Sequence, residues 1–153
     1  MDIQVGTVAP DFSLRAHNQE QAITLSQYRG RPVVVAFLPF AFTGGWTNQV
    51  NGFRANYAAF QALEVEILQV SIDPLPSLKA WATHLGGVPF PLLSDFWPHG
   101  AVGSAFGVFD AERGADKRAA YVIDRAGIVR YAHTYAKGSI PESAELLAQL
   151  KLL

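Results

Sequence analysis

The chain has 153 residues, enough for one domain with a sizeable core. Half of the residues are hydrophobic and 16% are charged, which excludes a disordered chain, and the formal net charge of −1 gives no electrostatic basis for binding nucleic acid or an anionic membrane. There is no cysteine, which excludes disulfides, thiolate catalysis and cysteine-ligated metals.

The chain opens with MDIQVGTVAPDF, which has neither the basic start nor the apolar stretch of a signal peptide, and a cytoplasmic location is expected. No apolar run approaches the roughly 18 residues that span a bilayer. FSLRA (12–16) and AITLS (22–26) alternate apolar and polar residues around HNQE and predict a hairpin. RPVVVAFLPF (31–40) is a continuous apolar, β-branched run, expected of a strand buried on both faces.

Beyond it, Trp46, Val50, Phe53, Tyr57 and Phe60 recur at helical spacing, with Thr43 where an N-cap would stand. EVEILQVSID (64–73) predicts a second buried strand stopped by Pro74 and Pro76. SLKAWATHL (77–85) predicts a short helix ended by Gly86 and Gly87.

The two prolines of VPFPLLSD (88–95) restrict a strand there to its Leu-Leu centre. AVGSAFGVF (101–109) predicts a short helix running into a loop or strand. AAYVID (119–124) and IVRYAH (128–133) predict strands around Arg125-Ala126-Gly127. Ser139-Ile140-Pro141-Glu142 has the form of a capping box, placing the start of a last helix there. The order of elements predicts an α/β sandwich on a mixed sheet, in a single domain over 1–153.

The histidines His17, His84, His99 and His133 have no metal-ligand spacing, no metal site is expected, and His99 reads as structural. Asp73 and Asp95 read as turn formers. There is no glycine-rich phosphate loop and no Ser-His-Asp order.

Longer motifs carry a resemblance. VAPDFSL, PFAFTGG, FPLLSDFWPHGAV (90–102), FGVF (106–109) and KRAAYVIDRAGIVRYA (117–132) together resemble a peroxiredoxin of the one-cysteine alkyl hydroperoxide reductase E group, from Val5 to about Ala132. The resemblance implies a thioredoxin-like α/β fold, a central mixed sheet flanked by helices, and a homodimer. The segment from Phe96-Trp97 to Phe106 is the expected apolar surface. The family signature is P-x-x-x-T/S-x-x-C; Pro39 and Thr43 match it, Arg118 matches the family's catalytic arginine, and Trp46 occupies the cysteine position. The family glutamate that helps order the arginine is replaced by Gln49.

In the family the thiolate is favoured by the helix N-terminus and the arginine, and without sulfur that chemistry has no nucleophile. Trp46 is either core filling or the wall of a rebuilt pocket. Arg118 either pairs with Asp110, Glu112, Asp116 or Asp124, or clamps an anion or carbonyl. Thr43 serves as N-cap, as ligand donor, or both. Asn48 and Gln49 are expected on the exposed or pocket-edge side of the helix.

The reading that follows makes Arg118 and Thr43 the catalytic candidates. Pro39, Phe42, Gly45, Trp46 and Gln49 are the ligand-binding candidates. The former thiol pocket would bind a small oxygenated molecule, without a cofactor, for a non-redox step such as cyclisation, isomerisation or elimination. The alternatives are a pseudoenzyme acting through its dimer or partner surface, and a peroxidase using an external thiol or cofactor.

Overall fold

The computed structural model describes residues 3–153, apart from the side chains at positions 45 and 46. Nine strands and four α-helices run β1 (Ser13–Ala16), β2 (Ile23–Thr24), β3 (Val33–Phe37), α1 (Gly44–Ala62), β4 (Glu66–Ser71), α2 (Leu75–His84), β5 (Leu92–Ser94), α3 (Ala101–Ala105), β6 (Phe109–Asp110), β7 (Ala115–Asp116), β8 (Ala119–Ile123), β9 (Val129–Thr134) and α4 (Ser143–Leu150). Seven strands form one mixed sheet in the order β2-β1-β5-β4-β3-β8-β9, and β6 pairs with β7 in a separate hairpin. β3, β4 and β5 are parallel; β8 runs antiparallel to β3, and β9 to β8.

The apolar run of β3 buries all five residues because both faces of the sheet are covered. Side chains alternate across a strand, so Val33, Val35 and Phe37 join one core with Phe12, Phe106 and Tyr121. Val34 and Ala36 join the other, packed by Val50, Phe53 and Phe60 of α1, Leu78 and Trp81 of α2, and Leu146 and Leu150 of α4. The predicted helix stripe therefore faces the sheet, with Val50, Phe53 and Phe60 buried; its first member, Trp46, has its side chain outside the described residues.

Three departures from the sequence reading concern the elements and the exposed aromatic surface. The last helix starts at Ser143, with Glu142 as N-cap, and the predicted box at 139–142 is not its start. Residues 136–139 form a turn instead: the Ser139 amide donates to the Ala136 carbonyl (2.9 Å), and the Ser139 carbonyl is taken by the Arg118 guanidinium. The short strand β7, unmarked in the sequence, closes a hairpin on β6. Phe106 is fully buried, so the exposed aromatic surface of its segment narrows to Phe96 (46%) and Trp97 (80%). No helix among the described residues is long and apolar enough to cross a membrane.

Candidate functional site

Strand register assembles one edge of the sheet. Phe37, the last residue of β3, pairs with Ala119, the first of β8. Ala119 pairs in turn with Thr134, the last of β9. Pro39, Arg118 and Tyr135 therefore leave three adjacent strands at the same end, and the Tyr135 amide donates to the Arg118 carbonyl (2.8 Å).

The turn from β3 into α1 is held from below. Asp73, at the end of β4, accepts the Ala41 amide on Oδ2 (2.9 Å) and the Ser71 hydroxyl on the same oxygen (2.7 Å). Asp73 thus ties two strand ends together, more than the turn role expected of it. Phe42 adopts a left-handed backbone (φ 63°), uncommon for a residue with a bulky side chain. Thr43 stands at the N-cap with extended backbone but makes no side-chain cap; its hydroxyl donates back to the Phe40 carbonyl (3.1 Å).

A cavity of about 510 Å³ opens at this edge. Pro39, Thr43 and Arg118 line it, so the three signature matches converge there. The Arg118 side chain reaches in from a residue only 7% exposed, and its Nη1 donates to the Ser139 carbonyl. Burial pulls its pKa down from the ordinary arginine value, yet a guanidinium remains cationic in proteins. Tyr135, the residue after β9, also lines the cavity, but its hydroxyl is buried within the protein, and burial chiefly raises its pKa. Among the described residues, Arg113, Lys117 and Lys137 also line the cavity, with one carboxylate, Asp110.

The other candidates lie differently. Phe42 is 54% exposed and turns away to pack on Trp81 (6.4 Å between ring centroids) and His84 (5.7 Å). Gln49 is buried, not at the pocket edge: its Nε2 donates to Gln69 Oε1 (3.1 Å), and Gln69 Nε2 donates to the Ala36 carbonyl (2.9 Å). A glutamine inside the buried run of β4 needs a polar partner, and Gln69 was the sequence signal for it. Asn48 is exposed, as expected.

Gly45 and Trp46 fall in the first turn of α1. The two readings of the Trp46 indole, core filler or pocket wall, concern a side chain outside the described residues. Of the four acids considered as partners of Arg118, Asp124 is taken by Arg130 (2.6 Å), and neither oxygen of Asp116 accepts a hydrogen bond. The sequence reading missed Tyr135 and Lys137 because they follow the predicted strand, where no motif marks them. Among the described residues, no group of three His, Asp or Glu is placed to hold a metal.

Beside the site, under α3, two carboxylates are buried. Asp95, just after β5, accepts the amides of Val102 (3.0 Å) and Gly103 (2.9 Å) on Oδ2, so it anchors the start of α3 from the intervening turn. Asp116 is fully buried; removal from water and then the nearby Asp95 push its pKa up to about 8. The two ring nitrogens of His99 lie 3.2 Å from the Phe96 carbonyl oxygen and 2.8 Å from the Gly114 carbonyl oxygen, linking the loop before α3 to the β6–β7 hairpin.

Residues 5–132 match the profile of the AhpC/TSA family. The chain belongs to this family. Alkyl hydroperoxide reductase E of Mycobacterium tuberculosis is 44% identical over 139 residues, covering 90% of each chain. A selenocysteine-containing peroxiredoxin of Peptoclostridium acidaminophilum is 38% identical over 136 residues, covering 84% of this chain and 66% of that protein. Among solved structures, AhpC of Enterococcus faecalis superposes with a TM-score of 0.89 over 99% of this chain and 92% of its own at 24% identity, a likeness of fold. The reduced 2-Cys peroxiredoxin of Plasmodium vivax gives 0.88 over 97% and 94%, at 25% identity. The thioredoxin-like peroxiredoxin fold is thus present in an AhpC/TSA chain that has no cysteine.

Proposed function

We propose that this AhpC/TSA protein is no thiol peroxidase and that its cavity at the β3–α1 edge binds a small oxygenated organic molecule. The observation that carries the reading is the convergence of Pro39, Thr43 and Arg118 on one open cavity of about 510 Å³ in a chain with no cysteine. A pocket of this size takes a small molecule. Its donor, the Arg118 guanidinium, suits a substrate oxygen that gains negative charge, as in cyclisation, isomerisation or elimination. Thr43 contributes through its position at the pocket wall, since its hydroxyl is engaged with the Phe40 carbonyl. The single domain over 1–153, the absence of a cofactor requirement and a cytoplasmic location belong to the same proposal.

Peroxide chemistry tests the first half. Without a thiol no sulfenic acid can form, so hydrogen peroxide and alkyl hydroperoxides are consumed at the no-protein rate with any thiol donor. Stopped-flow consumption by metal-free protein well above that rate would refute this half. The second half is tested by native mass spectrometry for a co-purified small molecule, compared between the wild type and Arg118→Ala.

The same proposal includes a homodimer. Phe96 and Trp97 are exposed next to each other on the loop after β5, an apolar surface of the kind that oligomers cover. Sedimentation equilibrium is expected to give a dimer at tens of micromolar, an order-of-magnitude choice for a typical dimer. A monomer there argues against it. A Trp97→Glu variant is expected to shift the equilibrium toward monomer.

A further inference from the structure

We infer that the molecule held in this cavity is an anion, bound through a carboxylate or phosphate group by cations that converge around Arg118. The inference rests on the pocket reading above and adds the chemical class of the ligand. Arg113 and Lys117 come from the β6–β7 hairpin and its exit, Arg118 from the start of β8, and Lys137 from the loop after β9. A chain of net charge −1 thus gathers four of its 12 lysines and arginines at one opening.

Among the described residues, the charges of Arg113, Lys117 and Lys137 are not balanced by a salt bridge. The one carboxylate on the lining among the described residues, Asp110, accepts the amides of Glu112 (3.0 Å) and Arg113 (3.3 Å) on its Oδ1. Among the described residues the sole ion pair is Arg130 with Asp124, on another part of the surface, so Arg113, Lys117 and Lys137 have no acidic partner. A cleft lined by one sign of charge raises the local concentration of the opposite ion.

Two adjacent residues between β7 and β8 give the cations two depths. Arg118 is buried and forms the floor, whereas its neighbour Lys117 is exposed at the rim. A guanidinium grips two oxygens in one plane, and the rim ammonium groups act as point charges. Pro39, Tyr135 and Ala136 offer the remaining surface to a carbon body. This is the layout for an organic acid or a phosphate ester.

The test uses benzoate, phenyl phosphate and neutral benzamide as probes of the full chain, followed by calorimetry and by amide chemical shifts. Both anions are expected to bind and to move the amides of Thr43, Tyr135 and Lys137, and the tighter of the two identifies carboxylate or phosphate as the preferred group. Benzamide is expected to bind at least about tenfold more weakly, and anion affinity to fall several-fold between about 20 and 200 mM salt. The double variant Lys117→Gln/Lys137→Gln is expected to weaken both anions about tenfold with an unchanged melting temperature, since both side chains are exposed. Benzamide binding as tightly as benzoate, or a double variant that binds normally, overturns the anion inference and leaves the pocket reading in place. No binding by any probe also overturns it, and the pocket reading is then decided by the co-purification comparison of wild type with Arg118→Ala.

Discussion

Replacing Asp116 with Asn is expected to stabilise the protein at neutral pH and to remove a decline in stability as pH rises. Asp116 is fully buried, neither oxygen accepts a hydrogen bond, and Asp95 lies close enough to add like-charge repulsion. Burial first, and Asp95 second, raise its pKa from 3.8 to about 8. The folded state then holds a proton that the unfolded chain releases above pH 3.8. A folded pKa above the unfolded one means stability that is complete below the unfolded value and is lost as pH rises toward the folded value. The window is therefore pH 3.8 to about 8, and stability falls across it. At pH 7 the linkage is worth about 2–4 kcal/mol, the upper figure assuming no relaxation or water entry around the carboxyl. Asparagine cannot ionise, so the variant should exceed the wild type by about that amount at pH 7 and match it near pH 4. Urea unfolding of both proteins from pH 4 to 8 measures the difference. A difference that stays constant with pH would show that Asp116 is ionised in the fold.

Gly103→Ala is expected to destabilise by about 3 kcal/mol, the upper part of the range for overpacking a closed core. A Cβ at Gly103 would lie 2.0 Å from Asp116 Oδ1 and 2.8 Å from its Cγ. Asp116 has little room to retreat, since it is held on the two-residue strand β7 and fully buried. The Gly103 amide also donates to Asp95 Oδ2 (2.9 Å), so displacing α3 would disturb the carboxylate that anchors it. Asp116→Ala removes the obstructing atoms. In that background Gly103→Ala should cost less than about 1 kcal/mol, because the two sites share one contact and are not additive. Equal costs in both backgrounds would place the strain elsewhere.

Much of the frame is legible in the sequence. The apolar runs of β3 and β8 have no polar face, and only strands covered on both sides bury such runs. The stripe Val50, Phe53, Phe60 fixes the buried face of α1. The family signature names Pro39, Thr43 and Arg118, but only the register Phe37 to Ala119 to Thr134 brings them to one edge with Tyr135.

What stayed hidden depends on long-range contacts. Gln49 looked like a solvated helix residue until Gln69 supplied a buried partner 20 positions away. The start of α4 was misread because the pattern at 139–142 satisfies a local rule, while Arg118 takes the Ser139 carbonyl. Nothing local marks Asp116 as buried; its environment is made by α3 and Asp95. The rim cations are scattered between positions 113 and 137, so no charge run reveals them.

The central claim is that the cavity around Arg118 holds a small molecule. Native mass spectrometry of the protein purified under non-denaturing conditions addresses it most directly, with Arg118→Ala measured alongside. The wild type is expected to carry a discrete mass increment that collisional activation removes and that the variant lacks, with the two proteins melting within a few degrees of one another. Wild-type protein that carries nothing and takes up no oxygenated small molecule, in a fold that Arg118→Ala leaves otherwise unchanged, would contradict the claim.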